Sequence, residues 1–394
     1  MLFSSFDSGP MKGQLCKRGL ALLLTLLMTA CSSGGDATTA AFQLAVSIDG
    51  AGSGSVYSTP GGIDCGIDCA EDLLQNTVVV LTASPTSGST FAGWGGDCSG
   101  SDDCTLTMDT TKTVTASFVE YRVDCSSYAS YQPDGLIPEF TPAAVPTTTS
   151  VIMLHGKTAS PLDAYLSTLT TALSDAGYDV VAPYLPWHDA SWDGSMCEVM
   201  NYIDLLVEQE AARGQAVIVA GHSMGAAHAL IYAVTSPATE VKAIVVLAPG
   251  HFPQLEMPLL TVYFPIVADS INSSIALAQS MVDSGIGDTN ATFETLLPDL
   301  NNPLLPISAT ANGYLSYHAL DQYPDVNDVL PPIKLPVLWL AGTDDELTDL
   351  YNMAILASRI ASPISDYQLV PGDHISMVSS SVTPVSTWLS SLGL

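Results

Sequence analysis

The sequence predicts an α/β protein: a doubly wound, mostly parallel sheet with a cap insertion, preceded by a small all-β module. Three observations lead there. From Ser150 to Leu394, short apolar runs alternate with stretches of helical spacing, the pattern of parallel strands joined by crossover helices. Between Phe42 and Val119 the pattern instead alternates with period two, broken at short intervals by Gly and Ser. His251 to Leu330 lies between two strand patterns and is too long for a plain loop, so it reads as a cap insertion.

Composition narrows the function. Asp and Glu outnumber Lys and Arg by 40 to 10, a formal charge of −30 that argues against nucleic-acid binding and against docking on anionic membranes. An apolar fraction of 47% argues against disorder. Lys12, Lys17 and Arg18 precede the apolar stretch Leu20–Met28, which is too short to span a bilayer and reads as an export signal, residues 1–30. Its end, Met28-Thr29-Ala30-Cys31, resembles a bacterial lipobox. That resemblance implies lipidation of Cys31, membrane attachment through an N-terminal lipid anchor, and an exported lipoprotein at the outer membrane or cell surface. An ordinary cleaved secretory signal is the alternative. Residues 31–41 form a Ser/Gly/Thr/Ala tether.

Of eight cysteines, Cys16 would leave with the signal and Cys31 would carry the lipid, so six would remain. An even number in an oxidising compartment suggests bridges. Cys65 with Cys69 and Cys98 with Cys104 form local pairs; Cys125 and Cys197 pair by elimination. Metal binding by the local pairs is the other reading, but no histidine cluster lies near them.

In the module, residues 42–119, Phe42–Ile48 and Lys112–Val119 alternate as half-buried strands and Thr77–Thr82 is a β-rich run. Gly52-Ser53-Gly54-Ser55-Val56, the Cys65 and Cys69 loop, Val78–Ala83, Phe91-Ala92-Gly93-Trp94, Cys98, Cys104, Met108 and Val114–Phe118 together resemble the divergent internalin-type B-repeat of bacterial surface proteins. The resemblance implies a β-grasp-like spacer or adhesive module with a possible cell-surface ligand and no chemistry. Phe91 and Trp94 read as its core. Residues 120–149 are Pro-rich, a linker or an arm packed on the next domain.

From residue 150, strands are expected at Val151–Leu154, Asp179–Ala182, Val217–Ala220, Lys242–Leu247, Val337–Leu340 and Tyr367–Val370. Helices are expected at Pro161–Ala176, Met196–Arg213 and from Ala226, with Ile275–Val282 inside the insertion. The Val217 strand runs into Gly221-His222-Ser223-Met224-Gly225 and then an Ala-rich helical run. Taken alone, that motif is equally a small-residue turn with Ser223 as a helix cap. Between a strand and a helix it places a serine hydroxyl on a tight turn above the sheet edge. A hydroxyl nucleophile needs a base and the base an orienting acid. The chain supplies both in order, after Gly342 as Thr343-Asp344-Asp345 and after Gly372 as Asp373-His374.

With His155-Gly156, these motifs resemble the α/β-hydrolase family over residues 150–394. The resemblance implies Ser223 as nucleophile, His374 as base, and Asp345, three residues past Gly342, as the acid. It implies an oxyanion hole made by the amides of Met224 and Lys157, with the Lys157 side chain incidental. His155 and His222 flank motifs, while His188, His228, His251 and His318 read as surface or satisfied core residues. No metal or organic cofactor motif is present, so none is inferred. The expected function is an exported serine hydrolase of carboxylic esters, esterase- or lipase-like, acting on small lipophilic esters. The alternatives are a surface binding or adhesion lipoprotein with a non-catalytic hydrolase domain, and a peptidase or amidase on the same fold.

Overall fold

The structure, a computed structural model, describes residues 40–394 apart from 87, 236, 237 and 298–302. The signal segment, Cys31 and nearly all of the tether lie outside the described residues.

The module consists of two four-stranded sheets. One runs Ala70–Leu74, Ala41–Asp49, Lys112–Glu120, Ser89–Gly96; the other runs Asp64–Cys65, Gly54–Thr59, Val78–Pro85, Cys104–Thr107. Its first and last strands pair in parallel, the β-grasp-like feature. Alternation puts Leu44, Val56, Val79, Leu81, Ala116 and Phe118 inside. Phe91 packs edge-on against Trp94 at 4.8 Å, and the Trp94 indole donates to the Asp102 carbonyl at 2.7 Å. Bridges join Cys65 to Cys69, Cys98 to Cys104 and Cys125 to Cys197.

In the α/β domain the strands are β1 (Glu139–Thr141), β2 (Thr149–Leu154), β3 (Asp179–Ala182), β4 (Ala216–His222), β5 (Val241–Leu247), β6 (Val337–Gly342) and β7 (Asp366–Val370). Their spatial order is β7-β6-β5-β4-β2-β3-β1, parallel except for β1. The Pro-rich stretch is thus an arm with an edge strand in it. Three contacts seat that edge. The Asp179 carboxylate accepts from the Ala143 amide at 2.8 Å, Arg213 bridges Asp179 and Glu210, and its guanidinium lies over Phe140.

Helices α1 (Ala164–Asp175), α2 (Met196–Ala212) and α3 (Met224–Thr235) cover the sheet. On β2, Val151 and Met153 face the layer of Leu166, Leu169 and Leu173 from α1. Ile152 and Leu154 face the layer of Val199, Ile203 and Leu206 from α2. Burial on both faces explains why the strands read as unbroken apolar runs.

Between β5 and β6 the insertion folds into α4 (Pro253–Tyr263), α5 (Pro265–Asp283), a hairpin of Asn290–Leu296 with Leu304–Thr310, and α6 (Ala311–His318). Ser191–Trp192 adds a short parallel strand to that hairpin. Module and domain meet where Gly88 donates to Asp328 at 3.3 Å and accepts from the Tyr121 amide at 3.0 Å.

Candidate active site

The end of β4 builds the site. Ser223 follows the strand with φ 54, in the left-handed region that non-glycine residues avoid. Its carbonyl accepts from the amides of Ala226, Ala227 and Gly250, and its amide donates to Leu247. This hydrogen bonding holds the strained turn. A side chain at Gly221 would overlap the Gly225 backbone, and one at Gly225 would lie 2.5 Å from the Leu154 carbonyl oxygen. The Gly-x-Ser-x-Gly spacing is therefore a steric requirement of this elbow.

His374 follows β7 and Asp345 follows β6, so the parallel topology brings all three side chains to the carboxyl edge of the sheet. His374 Nε2 lies 2.8 Å from Ser223 Oγ, and His374 Nδ1 lies 3.0 Å from Asp345 Oδ2. The second Asp345 oxygen accepts from the Leu347 amide at 2.9 Å. Asp345 and His374 are buried. Asp344 is exposed, its carboxylate accepting from the Thr343 hydroxyl at 3.2 Å. Adjacent in sequence, the two aspartates project differently, and only Asp345 meets His374.

The flanking histidines are neutral struts. His222 Nε2 donates to the His374 carbonyl at 2.8 Å, holding that loop. His155 Nδ1 donates to the Gly156 carbonyl at 2.9 Å and Nε2 accepts from the Leu185 amide at 3.0 Å. Desolvation pushes His222 down to about 3 and His155 to about 4.

Among the described residues, neither the Met224 nor the Lys157 amide has a protein acceptor. Met224 opens α3, where N–H groups are left over for a ligand. The Lys157 side chain, read as incidental, makes three hydrogen bonds. Lys157 is half-buried, and its ammonium donates to the Leu296 carbonyl at 2.6 Å, to Thr295 Oγ1 at 3.2 Å and to His251 Nδ1 at 3.3 Å. Desolvation lowers it to about 8, with Glu256 opposing. His251, read as bland, lines the same cleft. Sequence reasoning missed both because the partners of Lys157 lie 94 to 139 residues away, and that of His251 on α6 lies 66 away, with no local signal.

The cleft measures about 320 Å³. Leu259, Leu260, Tyr263 and Phe264 of the cap, Leu296, Leu297, Leu347 and Ile375 give it apolar walls, with Ser223 and His374 among its lining residues. Asp344, Glu346 and Asp373 line it too. No group of three His, Cys, Asp or Glu among the described residues is placed to hold a metal.

A Ser–His–Asp hydrogen-bonded chain at the carboxyl edge of a doubly wound sheet, under a cap, defines a hydrolase-type α/β domain. Residues 151–383 match the model of the alpha/beta hydrolase family, and the chain belongs to that family. Residues 44–121 match the divergent InlB B-repeat domain. No curated protein matches the chain. Similar solved structures include Paleococcus ferrophilus monoacylglycerol lipase, at 18% identity, TM-score 0.46, covering 65% of this chain and 99% of that one. A soluble variant of monoglyceride lipase from Saccharomyces cerevisiae is similar at 15% identity, TM-score 0.45, covering 67% and 99%. MenH from S. aureus is similar at 18% identity, TM-score 0.44, covering 65% and 97%.

Proposed function

We propose that the chain is a serine hydrolase of neutral, lipophilic carboxylic esters. The observation that carries this reading is the buried Ser223–His374–Asp345 chain, with spacings of 2.8 and 3.0 Å, in an apolar cleft. Ser223 Oγ attacks the acyl carbon and gives its proton to His374 Nε2. Asp345 holds the Nδ1–H tautomer and stabilises the imidazolium. The amides of Met224 and Lys157 donate to the oxyanion, each worth roughly 3 kcal/mol. His374 then protonates the leaving alcohol, and a water activated by the same imidazole releases the acid. The apolar walls favour lipophilic acyl groups, while the lining carboxylates and the charge of −30 disfavour anionic substrates.

A fluorophosphonate probe on the folded protein tests this. Labelling is expected at Ser223 and is lost in Ser223→Ala; an unlabelled wild type supports a non-catalytic surface protein instead. On one p-nitrophenyl ester, Asp345→Asn is expected to lose at least about a hundredfold in kcat, because the amide favours the wrong tautomer, and Asp344→Asn less than about tenfold. The reverse ranking moves the role to Asp344.

A further inference from the structure

We propose that Lys157 is a positioning residue that ties the cap to the oxyanion-binding loop, so that the seating of the cap sets the geometry of the oxyanion hole. This rests on the hydrolase reading above.

The hydrogen-bond network has a single consistent donor order. His251 Nε2 lies 2.9 Å from the Tyr317 carbonyl and must carry the proton there, so its Nδ1 is an acceptor. His318 Nδ1 lies 3.0 Å from the Tyr314 carbonyl and must carry its proton, so its Nε2 is also an acceptor. Thr295 Oγ1, 2.8 Å from that Nε2, therefore donates to His318 and is left to accept from Lys157. Three acceptors, Leu296 O, Thr295 Oγ1 and His251 Nδ1, thus face the three ammonium protons, and each belongs to the cap segment. The arrangement needs a protonated lysine and two neutral histidines. Burial holds His251 and His318 neutral, and the Lys157 ammonium also sits 5.8 Å from the Trp192 ring centroid.

The other end of Lys157 is the oxyanion loop. Its amide is one of the two proposed donors, and the next residue, Thr158, is held at φ 57 with its amide on the Trp187 carbonyl. His251 is likewise strained, at φ 69. Strained backbone at both ends persists only where the surroundings over-determine it. A shift of the hairpin or of His251 is passed through one side chain to an amide whose direction matters most in the transition state.

The test compares wild type with Lys157→Met, which keeps the stem and removes the donors, and with Thr295→Val, which cuts the link to His318. Each is assayed on an ester and on its thionoester, whose C=S accepts poorly from an oxyanion hole. For Lys157→Met, kcat on the ester is expected to fall about thirtyfold, the size of a weakened rather than deleted donor, with KM within about threefold and the oxo-to-thiono rate ratio down about tenfold. Thr295→Val is expected to move the ratio the same way by about threefold. A ratio unchanged in both variants, or ester and thionoester falling equally, overturns the proposal and leaves Lys157 a packing residue. If Lys157→Met does not fold, Thr295→Val decides alone. A wild type with no fluorophosphonate labelling and no ester hydrolysis overturns the hydrolase reading itself, a result distinct from an active wild type with indifferent variants.

Discussion

The module and the α/β domain solve the problem of stability in opposite ways. The module closes one small core, built on residues such as Leu44, Val79 and Phe118, and staples it with two local bridges. It contains no histidine. The domain closes large apolar layers on both faces of one sheet and then buries His155, His222, His228, His251 and His318 among them, with the Lys157 ammonium half-buried beside them. Covalent constraint stands in where the core is small. Where the core is large, the molecule tolerates costly buried polar groups, and these cluster around the candidate site.

The largest expected consequence is an acid instability confined to the domain. Burial lowers His155 and His228 to about 4, His222 and His318 to about 3, and His251 well below its ordinary value. Their folded pKa values lie below the unfolded value of 6.5, so the unfolded chain binds the extra protons. Stability is therefore full above pH 6.5 and falls as pH drops from there toward 4. By pH 5.5 each such histidine costs on the order of 1 kcal/mol, and several of them together cost a large part of the few kcal/mol by which a domain is stable. Peptide-resolved hydrogen exchange at pH 7 and 5.5, corrected for intrinsic rates, should show protection lost across β2, β4 and α6 and retained in the module. Equal loss in both regions breaks the comparison.

Bridges give a smaller contrast in the other direction. Cys125–Cys197 closes a separation of 72 residues and fastens the arm to α2, whereas the module's bridges close 4 and 6. In the loop-closure account the long bridge contributes about 4 kcal/mol and each short one about 2 kcal/mol. Replacing both cysteines of a bridge by serine and reading urea midpoints should give that ranking for the absolute loss. The short bridges still matter more to their own region, since the module's core is the smaller. A larger absolute loss from Cys65/Cys69 than from Cys125/Cys197 shows that core size, not loop length, decides what a bridge is worth here.

What the sequence made legible divides along similar lines. The elbow, the aspartate after Gly342 and the histidine after Gly372 are each written within a few residues, after a strand whose apolar run is plain because both faces are buried. Three strand ends of one parallel sheet share an edge, so local signals were enough to bring Ser223, Asp345 and His374 together on paper. The edge strand Glu139–Thr141 was not legible, because three residues in a Pro-rich stretch show no period. The two-residue strand at Ser191 gave no signal for the same reason. The bonding of the Lys157 side chain was not legible for a different reason. Its hydrogen bonds run to acceptors from Thr295, Leu296 and His251, whose nearness is a property of the folded cap and of nothing local.

The smallest expected effects lie at the seam between the two regions. Gly88 sits there at φ +78, and a Cβ added to it would come 2.5 Å from the Pro331 Cβ and 3.1 Å from the Pro332 Cδ. Neither proline ring can swing away as a flexible side chain would, so Gly88→Ala suffers both left-handed strain and a clash. A loss of about 1–3 kcal/mol is expected. Nearby, Lys334 pairs with Glu120 at 3.5 Å with its side chain 65% exposed. Water screens such a pair and side-chain entropy opposes it, so Lys334→Ala is expected to change stability by less than about 0.5 kcal/mol. Both variants lie away from Ser223, and their kcat on an ester should stay within about twofold of wild type, measured beside the urea midpoints. A large loss of kcat in Gly88→Ala with its stability intact would mean that the module acts on the site through the seam, and the two regions would then have to be treated as one functional unit.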